Sequence, residues 1–471
     1  MVSLADSLKE PFSLEEISYI SDHAAALGIQ FKSVSLDSYS VAPISIIPCY
    51  YNQSDVQAIT EVQRIINVMV DKIARNPTWL HKLIEPIAEA DDFTRRLLEI
   101  SKTVHREGIK QQKYLGILRS DYMMDTATGK PLQVEINTIS AGLGVLSTKT
   151  RSLHQLILER FAHKFEVAPS SDKLAEVTAW QGVVNFLAAG FKAYGGTGYI
   201  LILVEENERN IFDQLPLSLE LFRLYGIKTV RGSLTAIITK GELDDEGKLF
   251  FDGYEIALVY FRSGYTPVHY PTEQHWTARE LIERSVAIKC PSIDYQLAGV
   301  KKIQEVICDE ATLELFLPNP EDRQRLLHFS AKFWNFEGDD VQSVVDMARS
   351  RPLDFVLKPQ REGGGNNYFG DQIIEQLANF ETDPEVQARA RSLTLMQRIH
   401  PPAYNALLMK NGEVAHVKTV SELGVYGACL STPEGIQLNE TAGYLLRTKS
   451  IDTNEGGVAA GYAFLDTPYL I

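Results

Sequence analysis

The chain has 471 residues, of which 45% are hydrophobic and 23% are charged, and its formal net charge is -15. Its length exceeds what one ordinary core needs, so we expect two or three domains. The acidic balance disfavours nucleic acid as a partner, because that binding normally requires a concentrated basic face. No apolar run is long enough to cross a bilayer, and the acidic N-terminal stretch does not suit a signal or transit peptide, so we expect no membrane partner and a cytoplasmic location.

Two helices are predicted near the N-terminus. Ser13 and Glu16 form a capping box, and apolar residues then recur at helical spacing until Gly28. A second helical run starts after Ser54 and is expected to stop before Pro77.

Short β-like runs then alternate with helical ones, which predicts an α/β or mixed α+β architecture. These runs are Tyr114–Arg119, Leu132–Asn137, Tyr199–Val204, Ala257–Arg262, Phe355–Lys358, Leu393–Arg398 and Val417–Glu422. Several of them end in a charged or polar residue, and in open α/β sheets ligands bind at the carboxyl ends of strands. We therefore expect a shared site for an anionic substrate and a metal there; ordinary polar exits from strands are the alternative.

Alternation in Leu132–Asn137 places Glu135 and Asn137 on one face of a strand. Side chains two residues apart are roughly 6.6 Å apart at the backbone, and Glu and Asn oxygens are suitable magnesium ligands. An exposed polar face would also explain the pattern. The small-residue turn 138–144, which follows directly, favours the functional interpretation.

Two glycine-rich loops stand out. The first, 358–367, has Lys358 before three consecutive glycines and Glu362 within the loop, so its amides and Lys358 could hold phosphate while Glu362 holds magnesium. The second, 454–461, follows two bases, and two loops that close over one site would exclude water from an acyl phosphate. A flexible surface loop and an ordinary turn are the respective alternatives.

Other signatures are missing from the sequence. It has no GxxxxGK[ST] loop, no well-placed GxGxxG, no GxSxG elbow and no HExxH. The four cysteines have no CxxC spacing and are interpreted as reduced packing residues, and most of the ten histidines as surface or core residues. The sequence instead combines acid pairs, lysines, arginines and glycine loops, without a candidate nucleophile. This combination indicates an enzyme that activates a substrate carboxylate with ATP.

Longer motifs resemble the eukaryotic-type glutathione synthetases along nearly the whole chain. They lie at 91–94, 118–122, 135–138, 208–214, 262–265, 296–299, 358–362 and 456–461. The resemblance implies an ATP-grasp fold of the α/β (α+β) class with an inserted parallel-sheet substrate-binding domain and a lid subdomain. It also implies a homodimeric ligase that joins γ-glutamylcysteine to glycine with ATP and Mg²⁺. The domains would be 1–196 and 301–471 for the ATP-grasp body, with a lid at about 340–420, and 197–300 for the substrate-binding domain.

The same resemblance implies the site residues. The magnesium ligands would be Glu135, Asn137 and Glu362, and the catalytic residues Arg119, Lys301, Lys358 and Arg447. The ATP contacts would be Glu135, Lys301, Lys358, Pro359, Gln360, Arg361, Glu362, Gly363, Gly364, Gly365, Asn366, Asn367, Phe369, Met396, Gln397, Arg398, Ile399, Glu422, Lys449 and Glu455. The substrate contacts would be Arg119, Ile139, Ser140, Ala141, Gly142, Glu208, Arg209, Asn210, Gln214, Arg262, Ser263, Gly264, Tyr265, Arg447, Val458 and Ala459.

Three positions depart from the family pattern: Gln397, where Glu is usual, Phe369, where Tyr is usual, and Gly142, where Ser is frequent. Two alternative functions stay open. One is a related ligase that takes β-alanine or serine in place of glycine. Space for one extra methylene or hydroxyl group changes the discrimination between acceptor amino acids by only about 1–3 kcal/mol. The other is a catalytically silent nucleotide-binding relative, against which the retained metal and phosphate ligands argue.

Overall fold

In the computed structural model, residues 3–35, 37–360, 367–454 and 456–471 are described. The first part of the chain contains six helices and six strands. They are α1 (Leu14–Ala26), β1 (Gln30–Lys32), β2 (Tyr39–Val41), β3 (Ile44–Ser45), β4 (Cys49–Tyr51), α2 (Gln53–Ala74), α3 (Pro77–Ala88), α4 (Asp92–Glu107), β5 (Tyr114–Asp125), β6 (Lys130–Asn137), α5 (Gly144–Arg160) and α6 (Ala179–Tyr194).

The middle part of the chain alternates strands and helices. It comprises β7 (Tyr199–Leu203), α7 (Ile211–Tyr225), β8 (Thr229–Gly232), α8 (Leu234–Lys240), β9 (Gly241–Leu243), β10 (Leu249–Phe251), β11 (Tyr254–Phe261), α9 (Glu273–Glu283), β12 (Ile288–Cys290) and α10 (Ile293–Leu297). Strands β7, β8, β11 and β12 pair in parallel, and β9 and β10 extend the sheet as an antiparallel edge. The continuous apolar run of β7 is buried, as parallel strands covered on both faces require.

The last part contains the longest strands. Its elements are α11 (Lys301–Val306), α12 (Glu310–Glu314), α13 (Pro320–His328), β13 (Phe333–Trp334), α14 (Val341–Ser350), β14 (Phe355–Pro359), β15 (Tyr368–Phe369), α15 (Asp371–Gln376), α16 (Pro384–Arg391), β16 (Leu393–Gln397), β17 (Tyr404–Lys410), β18 (Glu413–Thr432), β19 (Gly435–Ser450), β20 (Phe464–Asp466) and β21 (Pro468–Leu470). Strands β13 to β16 form a four-stranded antiparallel sheet, which packs with α14 to α16 around a small core of its own.

A seven-stranded sheet joins the two ends of the chain, in the order β17-β3-β20-β19-β18-β5-β6. Its pairs are antiparallel except for β20 with β3. Side chains alternate between the faces of a strand, so Leu423 and Val425 of β18 enter the core that contains α2, whereas Tyr426 and Ala428 enter the core that contains α5 and α6. The sheet is therefore covered by helices on both faces.

The expected α/β class is confirmed, and each predicted strand is present. The capping box at Ser13 is also present, and the second helix ends at Ala74, before Pro77 as expected; Pro77 itself begins α3. Proline suits this first helical position because its missing N–H has no intrahelical partner there. Among the described residues, no helix combines the length and the apolar character that crossing a bilayer requires.

The expected placement of polar residues at the ends of parallel strands is wrong for Arg119 and Glu422. Both lie inside long antiparallel strands, β5 and β18. The sequence pattern misleads here because a charged side chain that faces a ligand cavity resembles the polar end of a strand.

Candidate active site

A cavity of about 420 Å³ lies between the seven-stranded and the four-stranded sheets. The first sheet contributes the inward face of β5, β6, β18 and β19, and the second contributes β14, β15 and β16. Among the described residues, the rest of the wall is formed by Asn367, Arg398, Ile399, His400, Pro401, Ala403, Ile451, Thr453, Asn454, Gly456 and Gly457. The cavity is thus assembled from strands near opposite ends of the sequence, since Arg119 lies on β5 and Lys449 on β19.

The side chains that line the cavity fall into two chemical classes. Charged and amide side chains form one group: Arg119, Glu135, Asn137, Lys358, Asn367, Gln397, Arg398, Glu422, Arg447, Lys449 and Asn454. Apolar side chains form the other: Met123, Val134, Val356, Phe369, Met396, Ile399, Val420 and Ile451. Ligand pockets commonly combine an apolar wall with a few polar groups that fix orientation, and this combination suits a ligand with a flat base and a phosphate chain.

The carboxylate of Asp121 collects the polar side chains beneath the cavity. It accepts hydrogen bonds from Arg119 (Nε at 2.6 Å and Nη2 at 2.8 Å), from Asn137 Nδ2 (2.9 Å) and from Arg447 Nη2 (2.9 Å). Asp121 is fully buried. A Cβ at its cross-strand neighbour Gly424 would lie 2.6 Å from Asp121 Oδ1, so only glycine leaves room for this cluster. Asp121 was not among the sequence-based site residues, although it lies two residues after Arg119 on the same strand face.

Glu135 lies across the β5–β6 ladder from Asp121. Its Oε2 accepts a hydrogen bond from Lys301 Nζ at 2.9 Å. Burial alone would raise the pKa of Glu135, but the charges of Lys301, Lys358 and Arg447 outweigh burial and hold the pKa below its usual value. Glu135 is therefore an anion with two lysines beside it at neutral pH.

A β-bulge lies beside Glu135. The ladder register shifts after Asp121, so that Gln133 pairs with Tyr122 and Val134 has no direct partner there. Strict alternation along β6 would turn Val134 away from Glu135, but in the bulge Val134 also lines the cavity, and its carbonyl accepts a hydrogen bond from Lys358 Nζ at 2.9 Å.

Arg447 connects the sheet to the C-terminal glycine loop. Its Nη2 donates to Asp121 and to Glu422, and its Nη1 donates to the carbonyl of Gly456 at 3.4 Å. Burial would lower the pKa of Arg447, but Glu422 and Asp121 raise it. Burial raises the pKa of Glu422, and Arg447 opposes that effect.

The side-chain oxygens of Glu135 and Asn137 suit a hard divalent cation. Asn137 donates its amide hydrogens to Asp121 Oδ2 and to the carbonyl of Arg119, which leaves its carbonyl oxygen as the group offered to the cavity. This oxygen and the Glu135 carboxylate are ligands that Mg²⁺ prefers. The third expected ligand, Glu362, lies outside the described residues, as do Arg361, Gly363, Gly364, Gly365, Asn366 and Glu455.

A second buried Arg–Asp pair lies at the start of α5. Arg262 Nη2 donates to Asp213 Oδ2 at 2.8 Å, and the same carboxylate accepts from the backbone N–H of Leu143 (2.8 Å) and Val145 (2.9 Å). Burial would lower the pKa of Arg262, but Asp213 raises it. The Gly142 carbonyl accepts from Tyr426 OH at 2.5 Å and from Arg119 Nη1 at 3.3 Å, so the turn at 139–142 joins this pair to the Asp121 cluster.

A polar chain continues from this turn along α7. Glu208 accepts from the backbone N–H of Asn210 (2.7 Å) and from Gln214 Nε2 (2.6 Å), and Gln214 Oε1 accepts from Arg231 Nη2 (2.7 Å). Arg231 was not among the sequence-based site residues. Arg209 instead binds the backbone of Lys32, with its Nε 3.0 Å from that carbonyl.

The remaining expected residues fall into two groups. Asn367, Phe369, Met396, Gln397, Arg398, Ile399, Glu422 and Lys449 line the cavity, whereas Pro359, Gln360, Val458 and Ala459 do not. Gln360 is held in the fold by the backbone N–H of Lys302 and by Thr394. Tyr265 donates to Glu205, and the Gly264 carbonyl accepts from Tyr270 and Gln296, so the 262–265 segment is fixed from outside the cavity.

Comparisons with known proteins agree on one family. The model of the eukaryotic glutathione synthase ATP-binding domain matches residues 11–470. The glutathione synthetase of Homo sapiens is 38% identical over 98% of both chains, and that of Xenopus laevis is 38% identical over 97% of both. The chloroplastic glutathione synthetase of Solanum lycopersicum is 38% identical over 91% of this chain and 78% of its own.

A solved structure shares the fold. It is a glutathione synthetase like-effector from Globodera pallida in apoform, with a TM-score of 0.75, 18% identity and coverage of 97% of both chains. The family model and the curated relatives show that the chain belongs to the eukaryotic glutathione synthase family.

Proposed function

We propose that the chain joins γ-glutamylcysteine to glycine with ATP, and that the cavity between the two sheets is where ATP binds. The observation that carries the proposal is one cavity in which Lys358, Lys449 and Arg447 lie opposite apolar strand residues, in a member of this family. The adenine would lie against Met396 and Val356 beside the segment 396–399, and the phosphates would extend towards the lysines.

The proposed metal ligands are Glu135, Asn137 and, outside the described residues, Glu362. Magnesium bound there would offset charge on the transferred phosphoryl group. Lys301 and Lys358 hold Glu135 ionised, as the direction of its pKa shift supports.

The proposed reaction has two steps. The cysteinyl carboxylate attacks the γ-phosphorus of ATP, and ADP leaves, which yields an acyl phosphate. The amine of glycine then attacks the acyl carbon, phosphate leaves and one proton passes to solvent. Arg119 and Arg447, which Asp121 holds beneath the cavity, would stabilise the negative charge that moves between these groups.

The dipeptide is proposed to bind where the turn 139–142 meets Arg262 and the chain from Glu208 to Gln214. The nearness of this turn to Arg119 supports the assignment, since Arg119 Nη1 donates to the Gly142 carbonyl. Arg262 would hold a carboxylate by its guanidinium, while Val458 and Ala459 would border the acceptor amine.

The proposed domains follow the sheets except at the edges of the lid, where β17 and the start of β18 pair in the seven-stranded sheet. Residues 1–196 and 301–471 would form the ATP-grasp body, and 197–300 the substrate-binding domain. The part at about 340–420 would act as a lid, which is supported by the separate core of the four-stranded sheet. Closure of such a lid would exclude water and protect the acyl phosphate.

We also propose that the protein is a homodimer and that α7 lies at its interface. Leu215, Leu219 and Phe222 are exposed at helical spacing, and exposed Tyr39 packs edge-on against Phe212 at 5.3 Å between ring centroids. Leu219→Glu should convert dimers to monomers in light scattering, whereas Val167→Glu, at an exposed apolar residue outside α7, should not. An unchanged mass for Leu219→Glu would contradict this interface.

A cytoplasmic location is the remaining proposal. All four cysteines are free in the structure, which suits a reducing compartment. The Solanum lycopersicum relative is named chloroplastic, so an organelle is the alternative location. Fractionation of the source cells would distinguish the two.

The test of the activity measures ADP release with ATP, Mg²⁺ and γ-glutamylcysteine, comparing glycine, β-alanine, serine and no added amine. We expect release that depends on glycine and yields glutathione, and about a 10²- to 10³-fold lower rate for Glu135→Gln. Release that is faster with β-alanine or serine would assign another acceptor. No amine-dependent release with any of them would refute the ligase proposal.

A further inference from the structure

Two histidines and one aspartate meet where three helices pack together, away from the ATP cavity. His81 lies on α3, His105 on α4 and Asp294 on α10. One ligand atom of each residue lies within 4.8 Å of the other two. Within the described ranges, no other group of three His, Cys, Asp or Glu residues meets this criterion.

The distances suit a small coordination site. His105 Nε2 lies 2.8 Å from Asp294 Oδ2, and His81 Nε2 lies 4.0 Å from Asp294 Oδ1. Ligand atoms on a tetrahedral zinc ion are roughly 3.3 Å apart, given bonds of about 2.0–2.2 Å. Rotations that move the atoms by about an ångström would therefore suffice, and both imidazoles retain some solvent exposure.

The carboxylate of Asp294 is buried at the centre of the cluster. The side chain of Asp294 is 4% exposed, and the side chains that contact its carboxylate in the described structure are Ser101, His105 and His81. Ser101 Oγ donates to Asp294 Oδ1 and also hydrogen-bonds with His81 Nε2 at 2.7 Å. A buried anion is costly unless charge is offset nearby, and a divalent cation would offset it.

The cluster is accessible from solvent. His105 and Asp294 line a cavity of about 330 Å³, which Tyr114 and Arg75 also border. Tyr114 and Arg119 lie on the same strand, five residues and hence roughly 16 Å apart, so this cavity is distinct from the one that Arg119 lines.

We propose that His81, His105 and Asp294 bind one zinc ion, or a divalent cation of similar softness, with water completing the coordination. Two imidazoles and a carboxylate are typical of zinc rather than magnesium, which prefers oxygen ligands. The ion would tie α3 and α4 to α10, the helix that precedes Lys301 by four residues. It would stabilise the folded state without entering the reaction.

The experiment uses the full chain, stripped with EDTA and dialysed against micromolar zinc in excess Mg²⁺ with ATP, so that hard-cation sites are occupied. We expect one zinc per chain by elemental analysis, a rise of several degrees in Tm and a visible d–d band with Co²⁺. His81→Gln with His105→Gln should lose all three signals. Ser101→Ala should weaken binding by about 10- to 100-fold, since it removes a hydrogen bond to a ligand.

His163→Gln, on an exposed histidine outside the cluster, is the matched control and should keep the signals. Circular dichroism of each metal-free variant checks its fold, and the single variant His81→Gln replaces the double variant if that one is unfolded. No zinc in the wild-type chain, or equal zinc in the wild type and the His81 variant, would overturn the proposal. The cluster would then be a metal-free hydrogen-bond network.

Discussion

The carboxylates of Asp121 and Asp213 are both buried beside arginines, yet they organise their surroundings differently. Within the described part of the chain, the hydrogen bonds to the Asp121 carboxylate come from side chains, those of Arg119, Asn137 and Arg447. Asp213 accepts one arginine, Arg262, and three backbone N–H groups at the start of α5.

The difference assigns the two carboxylates different roles. A side-chain cluster concentrates positive charge where strands from distant parts of the chain meet, and Asp121 therefore positions two guanidinium groups under the cavity between the two sheets. Backbone donors instead fix a helix terminus, so Asp213 holds the turn 139–142 and one arginine in place. Loss of Asp121 should accordingly affect the use of both ATP and γ-glutamylcysteine, whereas loss of Asp213 should affect only γ-glutamylcysteine.

The largest effect is expected for Asp121→Asn. Removing this charge leaves Arg119 and Arg447 buried with less compensation, which should lower the free energy of unfolding by about 3–5 kcal/mol. The kcat of ADP release should fall by about 10²- to 10³-fold. Urea unfolding and steady-state kinetics measure the two effects, with exposed Asp245→Asn as the control. Unchanged stability of Asp121→Asn would contradict the role of this cluster.

Asp213→Asn should have a smaller and more selective effect. Asparagine keeps an oxygen for the backbone N–H groups but loses the charge opposite Arg262, so the free energy of unfolding should fall by about 1.5–3 kcal/mol. The KM for γ-glutamylcysteine should rise, while the KM for ATP stays unchanged. A parallel rise in both KM values would remove the distinction between the two carboxylates.

Asp466 provides a third buried carboxylate whose hydrogen-bond donors are neutral: Thr448 Oγ1 at 2.6 Å and the Thr467 N–H at 2.7 Å. Burial raises its pKa from 3.8 to about 7, and these hydrogen bonds only partly oppose the rise. Because the unfolded chain releases the proton first, this group stabilises the fold fully below pH 3.8 and loses that contribution as the pH rises to 7.

Asp466→Asn removes this pH dependence. Between pH 5 and pH 7, the free energy of unfolding of the variant relative to wild type should rise by about 2 kcal/mol, given about 1.4 kcal/mol per pH unit. Urea unfolding at the two pH values measures it, with Asp245→Asn as the reference. A difference that does not vary with pH would show that Asp466 is ionised throughout.

The smallest effect is expected for Gly142→Ser. A Cβ at this position would lie 2.4 Å from Arg262 Nη2, so the guanidinium must move away from Asp213. We expect the KM for γ-glutamylcysteine to rise about five-fold, which corresponds to about 1 kcal/mol. The KM for ATP is the internal control. A lower KM for the dipeptide would mean that the serine hydroxyl contributes a contact that outweighs the displacement.

Much of the candidate site was accessible from the sequence. Glu135 and Asn137 were recognised from the alternation of one strand, and Lys358 from its place before the glycine loop. Asp121 was not predicted as a site residue because its partners Asn137 and Arg447 are 16 and 326 residues away in the sequence. Spacing along a single strand contains no information about such partners.

The family, the capping of α1 and the presence of seven strands follow from the sequence, because these depend on neighbours along the chain and on the period of side chains. The tertiary structure alone decided which strands pair, and hence that Asp121 lies beside Glu135 and opposite Gly424. It also decided the bulge at Val134 and the meeting of His81, His105 and Asp294. Strand register and helix packing depend on contacts between segments that are distant in the sequence. A local sequence pattern contains no information about the relative positions of such segments.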